Sequence, residues 1–195
     1  MNILSKIESI VAALKAGQTM LYETDTVWGI GCDATNMAAV QKVYNIKQRI
    51  DSKALIVLVS DSEQLKVYVE KLPKTAIELL VQNKERPTTI IYPKARNLAK
   101  NLLASDGSIA IRIPRSNVFL KDFLLKFGKP IVSTSANISG QPTPLSFENI
   151  SDLIKNEVDF VVQEMDFVAQ KKGTAPKPSR IIKLEMDGRV RVIRE

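Results

Sequence analysis

The stretch Pro130–Pro144, PIVSTSANISGQPTP, puts Ser133, Thr134, Ser135, Asn137 and Ser139 directly after the apolar, β-branched pair Ile131–Val132. Short hydroxyls and an amide lose little entropy when fixed, and each can donate or accept a hydrogen bond. At the end of a buried strand such a loop suits recognition of a polar small molecule. In an extended segment Ser133, Ser135 and Asn137 share one face. The competing reading is a Ser-rich turn closed by its own Asx and hydroxyl bonds.

Cations form a second set. Lys47, Arg49 and Lys53 in IKQRIDSKAL precede the apolar run Leu55–Val59, which reads as a buried strand. Three cations at a strand entry can converge on a phosphate or carboxylate, and an arginine can do so bidentately. A solvated helix end, where cations favour the dipole, would also account for them. In Ser108–Ile113 the alternation sets Ile109, Ile111 and Ile113 against Ser108, Ala110 and Arg112, and a mid-strand arginine needs an anion or solvent. Thr24, Asp25 and Thr26 form a polar turn before Gly29 and Gly31, and no third glycine completes a dinucleotide fingerprint.

Composition removes several chemistries. The 195 residues carry a net charge of +7, which favours an anionic partner such as a nucleotide or nucleic acid. There is no histidine and Cys32 is the only cysteine, so Ser-His-Asp, Cys-His and most zinc chemistry are excluded. No apolar run is long enough to cross a bilayer and no leader is recognisable, so a cytoplasmic location is expected.

The elements that must position these groups follow from periodicity. Helices are expected from Ile3 to Leu14, after a cap at Asn36, after a cap at Asp61 or Ser62, and after Pro73 with Ile77, Leu80 and Val81 on its apolar face. Others are expected over Ala95–Leu103, through Phe119–Phe127 up to Gly128, and near Phe147–Lys155. Strands are expected at Thr19–Glu23, Leu55–Val59, Pro87–Tyr92, Ser108–Ile113, from Ile131, and at Phe160–Val162. A hairpin, Ser179–Glu185 and Arg189–Arg194, turns at Asp187–Gly188 after a Lys/Gly/Pro-rich loop over Asp166–Pro178. The fold class is α/β, a mixed β-sheet with helices on its faces, as a single domain over residues 1–195.

In this order, TDTVWGIGCDA, KQRIDSKAL, SIAIRIP and STSANISG resemble the YrdC-like threonylcarbamoyl-AMP synthase family, in its short single-domain form, from about Thr19 to Arg194. The resemblance implies a twisted sheet with a basic concave cavity. The implied reaction converts L-threonine, bicarbonate and ATP to threonylcarbamoyl-AMP and pyrophosphate, for tRNA threonylcarbamoyladenosine modification. It implies a catalytic tetrad of Lys47, Arg49, Ser135 and Asn137. ATP would meet Arg49, Lys53, Ser108, Ser135, Thr143 and Arg194, and threonine would meet Thr26, Arg112, Ser133 and Ser179. Mg2+ would ride on the ATP phosphates, and a tRNA threonylcarbamoyl-transferase complex would take the product. The chain departs from the family pattern at Leu58, where a histidine is frequent. It also departs at Ala54, at the weakened Pro-Gly-Pro-Leu-Thr segment Arg86–Thr89, and at Trp28 in place of tyrosine.

The chemistry agrees with the residues. Threonine's amine is the nucleophile, so the protein needs no covalent nucleophile of its own and must position three anions and neutralise phosphoryl charge. Two other classes stay open: a double-stranded RNA- or tRNA-binding module of the same fold, and a carbamoyl-handling relative of part of the hydrogenase maturation proteins.

Overall fold

A computed structural model of the chain describes residues 3–24, 26–48, 55–82, 86–114, 117–162 and 178–195. Helical periods become helices where one face is buried. α1 (Ile3–Lys15) sets Ile7, Ile10, Val11 and Leu14 against the buried Phe119, Phe123, Leu124 and Phe127 of α5 (Val118–Phe127). The Asn117 side chain caps α5 by accepting from Leu120 N at 2.8 Å, and Gly128 ends it at φ +72°, a left-handed conformation that costs glycine nothing. Asn36 caps α2 (Met37–Ile46) by accepting from Ala39 N at 3.1 Å. Asp61 rather than Ser62 caps α3 (Ser62–Tyr68). α4 (Lys74–Gln82) follows Pro73, and α6 (Asp152–Glu157) follows Ser151.

The strands are β1 (Met20–Glu23), β2 (Trp28–Gly31), β3 (Ile56–Leu58), β4 (Thr88–Tyr92), β5 (Ile109–Arg112), β6 (Ile131–Ser135), β7 (Phe160–Val162), β8 (Arg180–Leu184) and β9 (Val190–Arg194). Among the described residues they form one sheet in the order β7-β1-β2-β6-β3-β5-β4-β8-β9. The β1–β7, β3–β5 and β4–β8 pairs are parallel and the rest antiparallel, so the sheet is mixed and the expected α/β class holds.

Register sorts the side chains between two faces. Val57, Ile90, Ile111 and Val132 belong to the apolar cluster that includes Val43 and Tyr44 of α2, Leu65 of α3 and Ile154 of α6. Met20, Tyr22, Leu58 and Ile131 belong to the cluster built on α1 and α5. By the same alternation Ser133, Ser135, Ala110, Arg112 and Thr89 lie on the α1–α5 side of the sheet. That side is apolar toward α1 and α5 and carries Ser133, Ser135, Thr89 and Arg112 beyond them.

Three expected helices differ. Residues 95–103 make only a 3₁₀ turn, Lys100–Leu102, because their backbone groups find partners elsewhere. Ala95 N donates to Gly107 O, Arg96 N to Tyr68 O and Ala99 N to Ala34 O, while Asn97 adopts φ +58°. The helix expected near Phe147 begins only at Asp152, and Phe147 instead packs on Trp28 with ring centroids 5.2 Å apart. On α4, Ile77 and Val81 are 47% and 56% exposed, because with Leu72, Leu80 and Ile113 they line an open cleft of about 440 Å³.

The edge strand β7 is tied down by a polar clasp. Thr19 N and Oγ1 donate to Asp159 Oδ2 at 2.7 and 2.9 Å, Asp159 N donates to Thr19 Oγ1 at 3.1 Å, and Lys42 lies 3.6 Å from the carboxylate. Partial burial opposes ionisation of Asp159, but the Thr19 bonds and Lys42 outweigh it and hold its pKa below the ordinary 3.8. A depressed folded-state pKa means the stabilisation is complete above the unfolded value and is lost as pH falls through the folded one. Thermal melts of the wild type and Asp159→Asn are therefore expected to differ at pH 7, by about 1 kcal/mol, the scale of one net hydrogen bond, and to draw together as pH falls below the ordinary 3.8. A constant difference down to pH 3 would contradict this.

Candidate active site

Three segments of the sheet bring part of the expected set, Thr26, Ser133, Ser135, Arg112, Ser179 and Arg194, to one face. The first is the turn after β1. Thr24 Oγ1 accepts from Thr26 N at 3.0 Å and Val27 N at 3.2 Å, donates to Val27 O at 2.8 Å, and lies 2.9 Å from Thr26 Oγ1. A hydroxyl has one proton, so with it on Val27 O, Thr24 accepts from Thr26. Thr26 then keeps lone pairs for an incoming donor such as an amine. Gly29 permits the approach to β6: a Cβ there would sit 3.2 Å from the Thr24 methyl, 3.3 Å from Thr134 O and 3.6 Å from Ser133 Oγ.

The second segment is the end of β6 with the loop that follows. Ser133, 6% exposed, pairs with Ile56 of β3, and Ser135 pairs with Gly29. Asn137 lies beyond the strand and folds back: Ser135 Oγ donates to Asn137 Oδ1, while the amide donates to Ile138 O at 3.0 Å and Gln141 O at 2.7 Å. In this arrangement Asn137 closes the turn, and Ser135, its proton directed at Asn137, offers lone pairs outward. Lys47 caps the C-terminus of α2 and is 1% exposed. Its Nζ donates to Ser135 O and, at 2.7 Å, to Asn137 O, while its own carbonyl accepts from Ser139 N at 2.9 Å. A charged donor on two loop carbonyls ties the end of α2 to this loop, each bond contributing about 1.5–3 kcal/mol.

The third segment spans β5, β4 and the terminal hairpin. Arg112, 4% exposed, pairs with Leu58 on one side and Thr89 on the other, and Thr89 pairs with Ile181. A β-bulge adds Ile193 to β9, so that Arg194 falls opposite Ile181 on the same row. Arg194 Nε and Nη2 donate to Ser179 O at 3.1 and 2.7 Å, and the Ser179 and Thr89 hydroxyls are 2.8 Å apart. Partial burial lowers the Arg194 pKa, from so high a value that it stays protonated at working pH.

Ser108 lies two residues before Ala110, which pairs with Ile56, as Ser135 lies two residues beyond Ser133, so both sit at the same end of the sheet. The Ser108 hydroxyl and N–H bond Asp106 and hold its carboxyl below the usual range. Thr143 is half-buried in the loop beyond Gly140, and among the described residues no hydrogen bond ties it to this network. Asp25, Arg49 and Lys53 lie outside the described residues, as does most of the expected loop 166–178. The sequence reading named Thr89 only as the end of the weakened segment Arg86–Thr89 and not as a site residue; its signal was a hydroxyl on the inner side of β4. Leu58 is fully buried in the α1–α5 cluster, beside Arg112 in register.

Comparison with known proteins finds relatives over most of the chain. A family model covering the Sua5, YciO and YrdC proteins, described as "Telomere recombination", matches residues 12–195. A threonylcarbamoyl-AMP synthase of Pseudoalteromonas translucida is 35% identical over 156 residues, which is 79% of this chain and 83% of the relative. One from Psychromonas ingrahamii is 34% identical over 154 residues, 78% of this chain and 80% of the relative. The crystal structure of E. coli YciO superposes with a TM-score of 0.81 at 26% identity, covering 97% of this chain and 88% of that one. With a family match over nearly its whole length, this chain belongs to the Sua5/YciO/YrdC family.

Proposed function

We propose that the chain is a threonylcarbamoyl-AMP synthase, an enzyme that uses ATP as a substrate. The observation that carries the reading is the gathering of Thr26, Ser133, Ser135, Arg112, Ser179 and Arg194 on one face of the sheet, in a chain about a third identical to synthases over four-fifths of its length.

The reaction divides into two bond-forming steps. The amine of threonine attacks the carbon of carbon dioxide or bicarbonate, losing a proton and giving a carbamate. A carbamate oxygen then attacks the α-phosphorus of ATP, and the bond to the β-phosphate oxygen breaks to release pyrophosphate. From bicarbonate, one water is also released. Arg112 clamps the threonine carboxylate, and Thr26 accepts from the amine and orients its lone pair. Ser133 and Ser179 supply hydroxyl contacts to the amino acid. Lys47 and Asn137 hold the Ser135 loop, and Ser135 accepts from the nucleotide. Arg194 faces the polyphosphate, with Arg49 and Lys53 in the same role by resemblance. Catalysis is positioning plus neutralisation of phosphoryl charge. Magnesium arriving on the ATP phosphates would need few carboxylates from the protein.

The +7 charge supports weak, salt-sensitive contact with tRNA, and the product's chemistry supports transfer to tRNA by a downstream enzyme in the cytoplasm. Among the described residues no helix is long and apolar enough to cross a membrane. The reading is tested by pyrophosphate release from ATP: it must require both threonine and bicarbonate. Release without either, or none with both, overturns it.

A further inference from the structure

Thr89 has no exposed surface, yet it carries a hydroxyl, between the half-buried Thr88 and the apolar Ile90 of its strand. Its hydroxyl meets that of Ser179, 4% exposed, at 2.8 Å across 90 residues of chain. A buried hydroxyl without a partner costs free energy, so the two stabilise each other's rotamers as a pair. Thr89 is also registered directly opposite Arg112, which puts the two Cβ atoms about 5 Å apart on the same face of the sheet. Ser179 thus reaches Arg112's neighbourhood through Thr89, whereas its backbone carbonyl is turned to Arg194.

We propose that Thr89 is a positioning residue for the amino-acid substrate: its hydroxyl fixes the Ser179 side chain beside the strand that carries Arg112. This rests on the synthase reading. The pair separates two roles of Ser179. Its hydroxyl depends on Thr89, but its carbonyl, which holds Arg194, is set by the backbone entering β8, where Arg180 N donates to Pro87 O at 2.9 Å. Losing the Thr89 hydroxyl should therefore disturb the amino-acid end of the site and leave the nucleotide end alone.

Valine matches threonine in shape and suits a strand, so Thr89→Val removes the hydroxyl with little change in packing. Steady-state pyrophosphate release is measured on the wild type, Thr89→Val, Thr89→Ser, Ser179→Ala and the Thr89→Val/Ser179→Ala double variant. The KM for threonine is expected to rise about tenfold in Thr89→Val, the scale of one buried hydrogen bond, with the KM for ATP unchanged. Thr89→Ser should restore most of the loss. Ser179→Ala, which also removes the hydroxyl that meets threonine, should raise the KM for threonine at least as much as Thr89→Val, and the double variant should be no worse than Ser179→Ala alone, because Thr89 acts only through Ser179. If Thr89→Val fails to fold, Ser179→Ala and Thr89→Ser carry the comparison. An active wild type whose Thr89→Val variant keeps its KM for threonine, or raises both KM values equally, overturns the inference alone. A wild type that releases no pyrophosphate with threonine overturns the synthase reading and this inference together.

Discussion

Replacing Arg112 by methionine is expected to reduce threonine-dependent pyrophosphate release about 10²–10³-fold, the consequence of losing a bidentate charge-assisted clamp of roughly 3–4 kcal/mol. Most of the loss should appear in the KM for threonine. Stability should move little. Arg112 is 4% exposed in the middle of the sheet, between Leu58 on β3 and Thr89 on β4. Exchanging a buried charge for an apolar side chain of similar length is often neutral for folding or favourable to it. A melting temperature within a few degrees of the wild type, with turnover nearly abolished, would assign Arg112 to substrate. A large fall in melting temperature would make it a structural ion instead. Arg112→Lys keeps the charge but not the fork, and is expected to recover only part of the activity.

The opposite pattern is expected at Lys47. Its ammonium bonds Ser135 O and Asn137 O, and its carbonyl takes Ser139 N, so it braces the loop that carries the polar cluster. Lys47→Met leaves two part-buried carbonyls without their charged donor, and the melt should record a loss of about 2–4 kcal/mol. Turnover should fall about 10²-fold as well, because displacing a positioned loop by an ångström is enough to do that. The two losses should be coupled: high concentrations of a stabilising osmolyte should restore folding and part of the activity. If Lys47→Met melts like the wild type while losing turnover, the ammonium acts on substrate and the brace is incidental.

What could be read from the sequence was local. Asn36 caps α2 through a contact three residues away, Gly128 stops α5 where the apolar period ends, and the alternation of SIAIRI survives as the two faces of β5. The failures needed long-range knowledge. Residues 95–103 have helix-forming composition, but Ala95 and Arg96 give their N–H groups to Gly107 and Tyr68, so only one 3₁₀ turn remains. Within the site, the polarity of Ser133–Asn137 was legible, but the turn that folds Asn137 onto Ser135 and Gln141 was only one of two readings. Sequence gave Lys47 as a cation at a helix end and could not say that its partners lie 88 and 90 residues away. Nothing local ties Thr89 to Ser179, since that contact exists only once β4 and β8 pair.

The most direct measurement is the mass of the nucleotide formed when the purified protein is incubated with ATP, L-threonine and ¹³C-bicarbonate. Synthase chemistry predicts an adenylate carrying one threonine and one labelled carbon, formed in step with pyrophosphate and absent when threonine is withheld. An unlabelled adenylate, or ATP left intact while the protein binds RNA, would contradict it.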